Sequence, residues 1–207
     1  MKKIFPYTLI ILFSCSKDAA IPEGKDFGGT VTPVGPFVPL TVGSFWIYDY
    51  FLQDTNGVET YLDRDTMSII NDTILNGKTY AVFDGSYEYK CNNYTSFRRD
   101  SLGYLIDTTG WIYFSSTNFT DTLENLSDST RFFFYKMTHK DSIVSVPAGV
   151  FQTFDYERIL HYYLDIRPTQ HCHNFYSNGV GIIKTQWKYY IAYSYNVAKP
   201  VNYYIAP

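Results

Sequence analysis

The chain has 207 residues with a formal net charge of -3, which fits one domain plus a targeting segment. Lys and Arg are scattered with no basic run, so the sequence carries no footprint for nucleic acid. Tyr supplies 21 residues and Phe 16. So many aromatics suit the pleated, half-buried surface of a sheet, with hydroxyls at its rim, and point to an all-β fold.

Residues 1–15, "MKKIFPYTLIILFSC", begin with Lys2 and Lys3 and continue as an apolar run from Ile4 to Phe13. That is the layout of a secretory signal, and it is too short to cross a bilayer. The run closes on Leu12, Phe13, Ser14 and Cys15, which resembles the lipobox of bacterial lipoproteins, although Phe13 is bulkier than is usual there. The resemblance implies cleavage after Ser14 and a diacylglycerol on the Cys15 thiol, with a further chain on its amine. Several acyl chains hold a protein stably on a membrane where one does so marginally. An ordinary signal peptide cleaved nearby is the alternative.

From Ser16 to Pro36, Gly, Pro and small residues dominate and no periodicity appears. This reads as a tether of about 20 residues with a reach on the order of 25 Å as a random coil. The expected organisation is therefore a signal peptide over 1–14, a lipidated Cys15 and tether over 15–36, and one β-rich domain over 37–207.

The body reads as strands. Residues 43–53 are rich in aromatic and β-branched side chains, and Asp54–Gly57 offers a turn before a partner strand at 58–70. Asn76-Gly77 sits between two β-rich runs over 72–83 and predicts a tight hairpin with positive φ angles. Strand character continues through 87–100, 101–107 (with a turn near Gly103) and 110–116. The polar stretch 118–130 is the one place where a short helix fits. Strands return at 131–146, 149–166 and 179–197. Eight to ten short strands imply a mainly antiparallel sheet, curled or as a half-barrel, with a β-sandwich as the alternative.

Pro147-Ala148-Gly149 interrupts a β-rich run and predicts a turn or bulge that re-aims Phe151. Gly179 and Gly181 are expected on one strand face, leaving room for a large neighbour such as Trp46, or for a ligand. Three pieces recur in this order elsewhere: "PLTVGSFWIY" (39–48), "VPAGVF" (146–151) and "GVGIIK" (179–184). Together they resemble a family of secreted lipoproteins of Gram-negative bacteria with no established activity. The resemblance covers nearly the whole mature chain. It implies a β-rich domain in the cell envelope, on the outer membrane and facing either the periplasm or the cell surface.

"TQHCHNF" (169–175) holds two of the four histidines around one of the three cysteines. On a strand, His171 and His173 share one face and Cys172 takes the other. Two imidazoles are half a zinc site. His161, His139 or Asp165 would have to complete it, and none stands at a diagnostic spacing, so no metal ligand is assigned. Cys172 has a better use. An oxidising compartment favours disulfides, and once Cys15 is acylated the remaining pair is Cys91 and Cys172, with two free thiols as the alternative. That bridge would close a loop of about 80 residues, worth on the order of 4 kcal/mol in the chain-entropy model. No catalytic group or cofactor is assigned. Asp63 and Asp65 share a strand face, which is more often a solvated edge than an acid–base pair.

The Asp-Ser/Thr triplets starting at Asp65, Asp72, Asp107, Asp121, Asp128 and Asp141, all but those at Asp107 and Asp128 ending in a hydrophobic residue, resemble an O-glycosylation signal of some Gram-negative envelope proteins. They are equally a Thr- and Asp-rich turn composition. The function expected from all this is non-enzymatic: a lipoprotein held on the bilayer by Cys15, binding a hydrophobic ligand or an envelope protein. An interaction module with a solid core is the alternative, and a metal-dependent enzyme the remotest reading.

Overall fold

The computed structural model describes residues 37–85, 94–163, 168–188 and 194–207. The described residues form twelve strands: β1 (Phe45–Gln53), β2 (Glu59–Leu75), β3 (Lys78–Asp84), β4 (Thr95–Ser101), β5 (Tyr104–Ile106), β6 (Ile112–Ser115), β7 (Glu124–Ser127), β8 (Arg131–Val146), β9 (Gly149–Tyr162), β10 (Gln170–Ser177), β11 (Gly181–Trp187) and β12 (Tyr195–Tyr204). All pair antiparallel, in the order β6-β5-β4-β3-β2-β1-β12-β11-β10-β9-β8-β7. Two meanders meet where β1 pairs with β12, so β6 and β7 are the free edges. The expected all-β antiparallel fold and curled sheet are both present. There are more strands than the sequence suggested, because β7 lies in the polar stretch 118–130, β10 lies outside the expected strands, and 179–197 divides between β11 and β12. β2, β8 and β9 are much longer than ordinary strands, at 17, 16 and 14 residues.

No helix occurs among the described residues, so the helix expected within 118–130 is corrected. Short polar side chains compete there for the backbone. Asn118 Oδ1 accepts from the amides of Thr120 and Asp121, and Ser115 Oγ accepts from Asn118 N. The second half of the stretch becomes β7. Beyond it, a hydrogen bond from the Thr130 hydroxyl, then its backbone amide and then Arg131, hold the Asp128 carboxyl down at about 2.

Turn chemistry sets the hairpins. Asn76 and Gly77 take φ of 51° and 73° between β2 and β3, as their sequence predicts. Leu102 and Gly103 do the same between β4 and β5 at 60° and 83°, which is costly for a branched side chain. Pro147 and Ala148 form a two-residue loop, since Val146 pairs with Gly149. Gly179 lies in the turn before β11 rather than on its face, a correction to the expected pair of strand glycines.

The curled sheet wraps a filled interior. Trp46, Tyr48, Phe83, Leu105, Phe114, Tyr176 and their neighbours form one buried cluster drawn from nearly every strand. Tyrosines and a tryptophan from the walls cap backbone groups where the ladder lapses. Tyr156 Oη donates to Ile112 O and Tyr176 Oη to Tyr113 O, both on the β6 edge, while Glu124 of β7 accepts from Ile112 N. On the other side the β11–β12 ladder covers only Thr185–Trp187. Trp46 Nε1 donates to Val180 O at 2.7 Å and Tyr48 Oη to Ile182 O at 2.9 Å, so two side chains of β1 satisfy carbonyls that β12 does not reach. Trp46 Cζ2 stands 3.8 Å from where a Cβ on Gly181 would be, so this glycine makes room for it.

Candidate functional site

The strands β9 and β10 carry the densest group of chemistry-bearing side chains among the described residues. Their register sets Cys172 opposite Arg158, His173 opposite Glu157 and Asn174 opposite Tyr156. Directly paired residues share a face. Tyr156 and Tyr176 lie in the core, so Arg158, Cys172 and Asn174 face inward with them. Asp155, Glu157, His171 and His173 face outward. The two faces of "HCH" are thus divided as alternation requires.

On the outer face, His171 Nδ1 lies 2.6 Å from Glu157 Oε1, and His173 Nδ1 lies 2.9 Å from Asp155 Oδ2. An ionised carboxylate only accepts, so each ring carries its proton on Nδ1. Thr138 Oγ1 adds a bond to Asp155 at 3.0 Å. Both carboxylates are buried although they sit on the outside, because rings and long side chains lie over them: Asp155 is 3% exposed and Glu157 8%. Burial opposes charge on His173, but the hydrogen bond to Asp155 and the charges of Asp155 and Glu157 outweigh it and raise the pKa. Lys184, with its ammonium 5.8 Å from the Phe175 ring, is shifted down, by burial first and by Lys199 second.

The same face continues over β12, β1 and β2 as linked pairs. Gln186 donates to Gln53, Gln53 to Glu59, Lys199 ion-pairs with Glu59, and Arg64 grips Asp49 through two nitrogens. On the inner face Arg158 Nη2 donates to Cys172 Sγ at 3.1 Å. Arg98 is buried with its guanidinium 4.4 Å from the Tyr113 ring and 5.2 Å from Phe83.

Cys172 is buried, and no disulfide occurs among the described residues. Its expected partner Cys91 lies outside the described residues, as do Cys15, the whole of 1–36 and Asp165. The other candidate ligands do not converge: His161 bonds Thr169 and stacks against both Phe132 and Phe134, while His139 of β8 is exposed opposite Asp155 of β9. No group of three ligating side chains able to hold a metal occurs among the described residues. Asp63 and Asp65 do share a face, beside the buried Tyr50, whose hydroxyl is pushed up by burial and then by their charges. Of the Asp-Ser/Thr triplets, Thr66, Thr122 and Ser129 are exposed.

The histidine–carboxylate pairs escaped the sequence reading, yet a signal was present. Asp155 and Glu157 repeat the two-residue spacing of His171 and His173 on the neighbouring strand, and only the register shows that the two patterns meet.

No family model matches the chain, and no curated protein matches it at a significant level. Two solved structures are similar. One, described by inference as a lipoprotein of Parabacteroides distasonis, is 11% identical with a TM-score of 0.50, covering 82% of this chain and 99% of its own. The other, described by inference as an exported protein with a YmcC-like fold from Bacteroides fragilis, is 11% identical with a TM-score of 0.49 over the same shares. At this identity the first likeness bears on architecture, and what this chain shares with it is the curled all-β antiparallel sheet.

Proposed function

We propose that the chain is a non-enzymatic lipoprotein of the bacterial cell envelope. Residues 1–14 act as its signal peptide, acylated Cys15 holds it on the outer membrane, 15–36 form the tether, and 37–207 are a binding module for an envelope protein. Successive turns of an antiparallel sheet alternate between its two ends. The chain enters the body at Phe37 beside the β10–β11 turn, where Val38 and Pro39 pack near Gly181. The β1–β2 turn is at the opposite, far end. The observation that carries the reading is the exposed apolar surface on both faces of this far hairpin: Leu52 and Val58 on one face are 39% and 62% exposed, and Tyr61 on the other is 55% exposed. Exposed apolar side chains beside polar ones mark contact sites, and on the Tyr61 face Glu59, Arg64 and Lys199 supply the polar neighbours.

The rival, a carrier of a hydrophobic ligand on the concave face, is disfavoured by the interior. Phe37, Phe114, Phe154 and Tyr176 pack against one another where an apolar ligand would lie.

The test is photocrosslinking of the full chain in a Gram-negative host, with the photoreactive residue at Val58 or at Ser129. One recurring envelope-protein adduct from Val58, lost in Leu52→Asp on the same face, is expected. Equal adducts from both positions, or a lipid-sized ligand retained in native mass spectrometry, would overturn the reading.

A further inference from the structure

The near end of the sheet, where the chain enters, carries a feature that a binding module at the far end does not use. The tip of the β8–β9 hairpin, residues 142–154, reads "SIVSVPAGVFQTF" and contains no charged residue. In an exposed hairpin this is unusual, since edges and tips are ordinarily blunted with charge. Ile143 and Val150 are 68% and 70% exposed. They belong to one face, because Val150 pairs with Ser145 and Gln152 with Ile143. Pro147, in the loop, is exposed too.

The tip is anchored from behind. Ala148 N donates to Pro200 O at 3.1 Å and the Phe151 ring lies 6.2 Å from that of Tyr203. Within the hairpin, Thr153 Oγ1 bonds Ser142 O. The exposed side chains are therefore presented on a held hairpin. At its base Phe154 meets Phe37 edge to face at 4.7 Å, where the remaining 36 residues of the chain begin. The tip and the start of the tether thus emerge from the same end of the molecule.

We propose that the β8–β9 tip is a membrane contact: Ile143, Pro147 and Val150 lie in the interfacial layer of the bilayer that anchors the chain. This rests on the lipid-anchor reading. An uncharged tip suits that layer, because it buries apolar area and carries no ion to desolvate. The anchor makes the encounter intramolecular, so a small apolar area suffices. The short reach of the tether keeps the tip close to the surface.

The experiment replaces Val150 by Trp in the full chain, and separately Val58 as the far-end control. Each protein is placed in phosphatidylcholine vesicles with brominated acyl chains, which quench only nearby indoles, and the quenching of the parent's own three tryptophans is subtracted. To keep this independent of the native anchor, the same variants of residues 15–207 are also coupled through Cys15 to a maleimide lipid. Quenching at residue 150 at least twofold above that at residue 58, abolished by Ile143→Asp, is expected in both formats. Quenching in the coupled format alone would support the tip and sink the native anchor. Equal or absent quenching at residue 150 in the coupled format would overturn the proposal while leaving the anchor reading untouched.

Discussion

Single hydroxyls and single φ angles carry much of what holds this sheet closed. Tyr156 Oη satisfies the buried Ile112 carbonyl on the free edge of β6. Tyr156→Phe keeps the ring and strands that acceptor, so a loss of about 1–3 kcal/mol is expected in urea unfolding. An unchanged midpoint would mean that the edge is closed by other means. Leu102 works the other way. Its φ of 60° is strained for leucine but natural for asparagine. Leu102→Asn is expected to raise stability by about 0.5–1 kcal/mol, read in the same unfolding curves. The Asn76-Gly77 turn was legible from two letters, because positive φ has few residue solutions. The Leu102-Gly103 turn was only half legible, since nothing local recommends leucine there.

At the scale of elements, the β9–β10 ladder is cross-linked on its outer face by His171–Glu157 and His173–Asp155. The folded pKa of His173 lies above its ordinary value. The protonated ring therefore stabilises the fold fully below the unfolded pKa of about 6.5, and that contribution is lost as pH rises through the folded value. Thermal unfolding from pH 5.5 to 8.5 should show a falling midpoint across this window, and Asp155→Asn should flatten it. A slope that Asp155→Asn leaves intact would place the linkage elsewhere. The strands themselves were visible in the sequence because aromatic and β-branched residues repeat along them. β8 begins and ends where its composition changes, at Arg131 and Val146. The polar stretch before it was misleading, since Asn118 and Ser115 spend their side chains on backbone amides and so prevent the helix that polarity alone allows.

At the scale of the whole molecule, the pairing of Cys91 with Cys172 remains our proposal. Cys172 sits on the inner face, its sulfur bonded by Arg158. Mass spectrometry of the mature body, intact and after reduction, is expected to show a gain of two hydrogens on reduction. Full thiol mass from the outset would retire the bridge and leave Arg158 as the stable partner of a permanent thiol. The same measurement on the full chain would show whether Cys15 carries acyl chains.

The sequence by itself determined the all-β class, the antiparallel hairpins and the two faces of "HCH". These follow from properties of neighbouring residues: alternation, aromatic content and turn chemistry. Only the tertiary structure decided that β1 pairs with β12, that wall tyrosines cap the β6 edge, and that His171 and His173 meet buried carboxylates. Each of those depends on register between strands distant in sequence. A one-residue slip would turn every such side chain to the opposite face, and no local pattern records which register wins.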